Sequence, residues 1–278
     1  MDRVHLIAVD LDFTALDNLY ELNDITARVL KKLAELGHKV VIATARPPGM
    51  TLPHYRRLEL DTLAVLCNGA DVVDLSRDGS VPETRYLSAP DLDKVLSIFP
   101  TEIIDKMGME RYDDVYIYGD MSESNYHMEL IEQTNSQFFD IKDIPKIDVG
   151  RVFIWVRNVP ETTEIIGQLE KMDNISFYYR EARSGKDQTY ISIQSILANK
   201  WYGVMKVAEH YGIARENIIT FGDELNDKMM LEKAGLGFVM KNGRDDLKEQ
   251  IGNITSYTNT EGGVGRELIR LFNLPDKI

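Results

Sequence analysis

One cysteine in 278 residues, two tryptophans and five histidines set the first bounds on this chain. The lone thiol, Cys67, has no second cysteine to pair with, which excludes an intrachain disulfide framework. It ends an apolar run that starts at Leu63, so a small buried core residue is expected there. No apolar run approaches the ~20 residues that a membrane-spanning helix needs. The N-terminal stretch Val4 to Val9 is short and runs into Asp10, unlike a secretory signal. Positive charge is also scarce: 32 Lys and Arg face 45 Asp and Glu, a net charge of -13. Such a chain repels polyanions. The expectation is therefore a cytoplasmic protein without nucleic-acid or membrane partners, in which an anionic substrate must be met by a local cation.

What is present is a recurring strand and helix grammar. His5 to Val9, Lys39 to Ala43 and Leu63 to Cys67 are short, nearly continuous apolar runs, as strands buried on both faces are. Between the first two, Asn23 is a candidate helix N-cap, Ile25, Val29, Leu33 and Leu36 recur at helical spacing, and Gly37 suits a helix end. Strand, helix, strand predicts a right-handed parallel crossover. The pattern returns near the C-terminus, with a helix at Trp201 to His210, strands at Ile218 to Phe221 and Leu236 to Met240, and a helix between them. Together these predict an α/β fold with a doubly wound, Rossmann-like parallel sheet, whose ligands bind beyond the carboxyl ends of the strands. The text between Leu87 and Ser184 differs. Helical stretches at Glu123 to Thr134 and Glu161 to Met172, and strands at Val115 to Tyr118, Val152 to Val156 and Ile175 to Tyr179, read as an inserted α/β domain. Turn-forming joints flank it at Asp78-Gly79, Pro82 and Arg183-Ser184-Gly185-Lys186. The expected domains are a discontinuous core, 1–86 and 185–278, and an insert, 87–184, read as a lid.

Four clusters carry chemistry: Asp10-Leu11-Asp12-Phe13-Thr14, Thr44, Lys200, and Gly222-Asp223-Glu224-Leu225-Asn226-Asp227. Side chains two apart at a strand end point the same way, so Asp10 and Asp12 can face one site. Neighbouring carboxylates stay ionised cheaply only beside a cation, and with Asp223 and Asp227 they make an oxygen-ligand set of the kind Mg²⁺ prefers. A hydroxyl (Thr44) and an ammonium (Lys200) then remain to hold phosphate oxygens. Each cluster alone has an ordinary reading: an acidic turn for Asp-x-Asp, a solvated surface residue for a lone lysine.

In this order the set resembles the haloacid dehalogenase superfamily of phosphohydrolases, and Asn68-Gly69-Ala70 with Asn259-Thr260-Glu261-Gly262-Gly263-Val264 resembles its Cof-type branch, across nearly the whole chain. The resemblance implies a haloacid dehalogenase core with an α/β cap that selects the leaving group. It implies a Mg²⁺-dependent phosphatase of small phosphorylated metabolites, sugar phosphates first, working as a monomer or weak homo-oligomer. Asp10 would be the nucleophile and Asp12 the general acid and base. The metal set would be Asp10, Asp12 through its backbone carbonyl, Asp223 and Asp227, the last also able to fix Lys200. Thr44 would donate to the transferring phosphate and Lys200 would neutralise it. Thr14 would orient Asp12 or meet substrate, and Asn68 and Asn226 would lie on the substrate side. Phe13 stands where relatives mostly carry Gly, and is expected to keep an ordinary backbone with its ring narrowing the entrance. Ala45 stands for another Gly, Arg46 is expected in a salt bridge at the lid edge, and Trp201 replaces a small residue. The alternatives are a phosphomutase of the same superfamily, a receiver-like protein with its Asp, Thr and Lys around Mg²⁺, and a phosphate-binding module without catalysis.

Overall fold

The computed structural model describes residues 3–76, 83–122, 124–181 and 187–275. The joints expected at Asp78-Gly79, Pro82 and Arg183–Lys186 lie outside the described residues. The chain divides into two compact units, one of Met1–Arg46, Thr51–Glu83 and Asn199–Ile278, the other of Pro47–Met50 and Thr84–Ala198.

In the first unit four apolar segments pair in parallel, in the order Leu236–Val239, Ile218–Gly222, Leu6–Val9, Lys39–Ile42. Leu6–Val9 is fully apolar and buried along its length because helices cover both faces of a parallel sheet. Its two neighbours come from opposite ends of the chain. The winding therefore reverses at Leu6–Val9, and the carboxyl ends of the strands at such a reversal are where doubly wound sheets bind ligands. The crossover helix Asp24–Glu35 begins where expected. The Asn23 side chain accepts from the N–H groups of Ile25 and Thr26, and Gly37 takes a positive φ of 90° past the helix end. Ala64–Leu66 extends the sheet by a parallel bridge from Ala43 to Val65, then turns back antiparallel to Asp71–Val73. Trp201 sits in the buried cluster with Leu6, Ala8, Val41 and Val204, so the departure from a small residue fills core volume.

The second unit is a six-stranded sheet in the order Ile175–Glu181, Gln188–Ser195, Arg151–Arg157, Ile104–Arg111, Asp114–Tyr118, Asn135–Phe138, antiparallel except for the last pair. Period-two alternation divides its side chains. Met107, Met109, Val152, Ile154 and Val156 pack with Leu92 and Val95 of the helix Ala89–Leu96 and with Ile165 and Leu169 of the helix Pro160–Leu169. On the other face Phe153, Trp155 and Tyr190 pack with Leu130 of the helix Asn125–Gln133. The strand Gln188–Ser195, which a boundary after 184 leaves with the core, belongs to this sheet. Ile104–Arg111 lacks a clear apolar alternation because the buried face it shares with Phe153 and Trp155 carries Lys106, Gly108 and Glu110. Glu110 is held there by two N–H groups of Arg151 at 2.9 and 2.5 Å.

The loop after Leu6–Val9 decides where the first acidic pair points. Leu11–Ala15 is a single wide turn, closed by the Ala15 N–H on the Asp10 carbonyl and broken by Phe13 at φ 57°, ψ 11°. The ordinary backbone expected for Phe13 is thus not what the structure shows: the turn demands the left-handed region that glycine enters without strain. Phe13 is held there by the Asn242 amide on its carbonyl at 2.8 Å and by an edge-on contact of its ring with Tyr20 at 6.2 Å. A left-handed conformation costs an L-residue about 1–2 kcal/mol. Phe13→Ala and Phe13→Gly both lose the ring but only the second releases the strain, so the glycine variant should be the more stable by about 1 kcal/mol in denaturant unfolding. Equal stabilities, or a more stable alanine variant, would show that this turn stores no strain.

Candidate active site

Every residue of the site belongs to the first unit. Asp10 ends the strand Leu6–Val9 and is 5% exposed. Lys200 opens the helix Lys200–His210, whose N-cap Asn199 accepts from the Tyr202 N–H, and is 1% exposed. Its ammonium lies 2.7 Å from Asp10 Oδ1 and 2.7 Å from Asp227 Oδ1. The solvated-surface reading of Lys200 is therefore excluded. Burial disfavours the ammonium, but the charges of Asp10 and Asp227 outweigh it and hold the group above the usual lysine range.

Two glycines allow this approach. Gly69, at φ 89°, brings the turn after Ala64–Leu66 against Asn199, where a Cβ would fall 2.1 Å from the Asn199 carbonyl oxygen. Gly222 lies over Asp227, where a Cβ would fall 2.4 Å from the carboxyl carbon. That carboxylate is fully engaged: Oδ1 takes Lys200, and Oδ2 accepts the N–H groups of Asp223 and Glu224 at 2.9 and 3.1 Å. The spacing Gly-Asp-x-x-Asn-Asp thus encodes a carboxylate tucked under its own turn, aimed at the lysine.

Asp10, Asp223 and Asp227 each place a carboxylate oxygen within 4.8 Å of the others. Burial pushes Asp10 up to about 7, with Lys200 opposing and Asp227 and Asp12 adding to the rise. Burial, Asp10 and Asp227 push Asp223 up to about 9. Ionised together, three carboxylates beside one ammonium would carry two negative charges without a counter-cation, and all the offered donors are oxygens. This donor set fits a hard divalent cation. Asp12 does not join the trio with its side chain, so of the expected metal residues only its backbone carbonyl remains as a contribution.

Thr44 follows the strand Lys39–Ile42, fully buried. Its hydroxyl oxygen accepts the Arg46 N–H at 3.1 Å, which leaves the hydroxyl proton to donate. Thr14 donates to Asp223 Oδ1 at 3.2 Å, so it supports Asp223; the expected contact with Asp12 is not formed. Asn226 donates to Asn68 Oδ1 at 2.9 Å, while its own Oδ1 is buried without a hydrogen-bond partner. Asn259 lies to the side, its amide donating to the Leu16 carbonyl and to Asn18, and so braces the loop that follows Ala15.

Arg46 is the residue whose importance the sequence reading understated. It is wholly buried, and its Nε and Nη2 grip Asp12 at 3.1 and 2.7 Å, in place of an ordinary salt bridge at an edge. Its guanidinium also stacks 5.4 Å from the Tyr20 ring. Burial, then the Arg46 charge, push His54 down to about 4, so that imidazole is neutral and adds no second cation. Asn242, which holds both Phe13 and the Asn259 N–H, was likewise not singled out, because a lone asparagine in a turn has no distinctive pattern.

Among the described residues no helix is long and apolar enough to cross a membrane. A family model described as haloacid dehalogenase-like hydrolase matches residues 7–268. The chain is 34% identical to a 5-amino-6-(5-phospho-D-ribitylamino)uracil phosphatase of Bacillus subtilis, over 98% of this chain and 99% of the relative. It is 25% identical to the pyridoxal phosphate phosphatase of Escherichia coli, over 94% and 96%. Among solved structures, a sugar phosphatase of haloacid dehalogenase subclass IIB superposes with a TM-score of 0.80 at 17% identity, covering 98% of this chain and all of that one. A haloacid dehalogenase-like hydrolase from B. subtilis does so with a TM-score of 0.79 at 21% identity, over 96% of this chain and all of that one. With its acidic strand ends, its lysine clamp and a family match along nearly its full length, the chain belongs to the haloacid dehalogenase-like hydrolases, in the Cof-type branch, and is a phosphoric monoester hydrolase.

Proposed function

We propose that the protein is a Mg²⁺-dependent phosphatase of small phosphorylated metabolites that works through an aspartyl-phosphate on Asp10. The observation that carries this reading is the Lys200 ammonium, buried and 2.7 Å from both Asp10 and Asp227. An attacking carboxylate needs a fixed orientation and relief of the repulsion between its own charge and that of the incoming phosphate, and a buried ammonium gives both. Asp10 attacks phosphorus, the bond to the leaving oxygen breaks, and the Asp12 carboxyl gives that oxygen its proton. Water then loses a proton to Asp12 and attacks the same phosphorus, releasing inorganic phosphate and restoring the Asp10 carboxylate. Thr44 donates its hydroxyl to the transferring group. Asp10, the Asp12 carbonyl and Asp223 would hold a Mg²⁺ ion, which would supply neutralisation of the phosphate oxygens. In this reading Asp227 serves by holding Lys200, and Asn226, with an unsatisfied buried oxygen, serves on the substrate side with Asn68.

For the substrate, the relatives named for a phosphoribityl compound and for pyridoxal phosphate, and the structurally similar sugar phosphatase, all concern phosphate carried on a small organic molecule. We place this chain's substrate among the phosphate esters of primary alcohols on sugars or sugar alcohols, with the second unit choosing between leaving groups. A phosphomutase would use the same Asp10 and Asp12 but return the phosphoryl group to an organic acceptor. Release of inorganic phosphate matching substrate consumed selects the hydrolase.

Asp10→Asn should abolish turnover of such esters, since an amide cannot form the acyl phosphate. Turnover near the wild-type rate in that variant rules out the covalent route. EDTA should silence the wild type and Mg²⁺ restore it, and Asp223→Ala should need more Mg²⁺ for half-maximal rate. A metal-independent rate, or an unchanged Mg²⁺ requirement in Asp223→Ala, contradicts the assigned donor set. Lys200→Ala should lower kcat by about 10²- to 10³-fold, as loss of a single charge-assisted donor typically does. Steady-state kinetics indistinguishable from wild type would leave Lys200 as a purely structural cation.

A further inference from the structure

We propose that Arg46 is a positioning residue that fixes the carboxyl plane of Asp12 and assigns proton transfer to its Oδ2 oxygen. This rests on the phosphatase reading above. Asp12 Oδ1 accepts from Arg46 Nη2 at 2.7 Å and from Nε at 3.1 Å, whereas Oδ2 takes only a share of that same Nε–H at 3.1 Å. Oδ1 is thus saturated by the guanidinium, and Oδ2 keeps lone pairs for a proton.

The grip itself has little freedom. Arg46 is 0% exposed, its N–H donates to Thr44 Oγ1 at 3.1 Å, and its carbonyl accepts the Cys67 N–H at 3.1 Å. Its guanidinium faces the Tyr20 ring, and Tyr20 in turn meets the edge of Phe13 beside Asp12. One residue therefore ties the loop after the first strand to the loop after Lys39–Ile42, and sets the Thr44 hydroxyl and the Asp12 carboxyl together. An aspartate with 22% of its side chain exposed would otherwise sample several rotamers. The planar fork of arginine restricts it to one, which the point charge of a lysine does not do.

In the first half-reaction the Asp10 oxygen bonds to phosphorus, the bond from phosphorus to the leaving oxygen breaks, and the Asp12 Oδ2 proton moves to that oxygen. In the second, a water proton moves to Oδ2 while the water oxygen bonds to phosphorus and the bond from phosphorus to the Asp10 oxygen breaks. Only a leaving group that needs a proton depends on the first transfer. An alkoxide leaves poorly without one, whereas a nitrophenolate leaves readily as the anion.

The test compares glucose 6-phosphate or ribitol 5-phosphate, whichever the wild type hydrolyses faster, with p-nitrophenyl phosphate in Mg²⁺, for wild type, Arg46→Met and Arg46→Lys. For Arg46→Met, kcat/KM on the alkyl ester, which reports the steps up to leaving-group departure, should fall by about 10²-fold, at the lower end of what general acid catalysis contributes, while kcat/KM on the aryl ester falls far less. Arg46→Lys should show the same selective loss, because it keeps the charge and lacks the fork; it carries the test if Arg46→Met does not fold. Adding Arg46→Lys to Asp12→Asn should lower alkyl turnover no further, as for residues acting as a unit. An equal loss of kcat/KM on both esters, an unchanged alkyl kcat/KM, or additive losses in the double variant would overturn the assignment. A wild type that hydrolyses neither ester would instead count against the phosphatase reading itself.

Discussion

Lys200 lies between two buried carboxylates, 2.7 Å from each, and the arrangement around it follows from that constraint. An ammonium without solvent must be paired on more than one side, and two carboxylates sharing one cation still carry excess negative charge. The chain meets the first need with Asp227, turned under Gly222 and pinned by two backbone N–H groups, so that it cannot swing away from the lysine. It leaves the second need open. Asp223 adds a third carboxylate in place of a second cation, which gives the cluster a donor set that fits a divalent ion. A site built for stability alone would have replaced the acidic trio by apolar packing.

The same economy extends to the loops. Several side chains of the proposed mechanism are held by neighbours whose other contacts lie in the scaffold. Thr14 steadies Asp223, Arg46 steadies both Thr44 and Asp12, and Asn242 and Asn259 steady the turn that carries Asp12 and Phe13. The turn itself sits in a conformation that glycine adopts freely and phenylalanine does not. Strain of this kind clusters at sites of function, and here it lies next to Asp12, the proposed acid and base.

Much of this is legible in the sequence because parallel strands buried on both faces are continuous apolar words, and the acidic words follow directly after them. Asp10 after Leu6–Val9, Thr44 after Lys39–Ile42 and Asp223 after Ile218–Gly222 must fall at one edge once the strands are parallel. Lys200 joins them by virtue of opening a helix that packs on the same sheet. What is not legible is contact geometry. Nothing in Thr44-Ala45-Arg46 says that the guanidinium turns inward to Asp12, and nothing at Phe13 says that φ is positive. In the second unit Ile104–Arg111 and Gln188–Ser195 carry lysine, glutamate and glutamine on the face that other strands fill with aromatics, so their period-two pattern is masked by buried polar pairs such as Glu110 with Arg151.

In the proposed mechanism Asp10 carries the phosphoryl group. Acid-quenching the Mg²⁺-loaded enzyme during turnover of p-nitrophenyl phosphate, followed by peptide mass spectrometry, tests it without reference to rates. The account predicts one phosphoryl group on the peptide containing Asp10, absent from unreacted enzyme and lost when turnover runs to completion before quenching. A phosphoryl group found on another residue during turnover, with Asp10 unmodified, would contradict it.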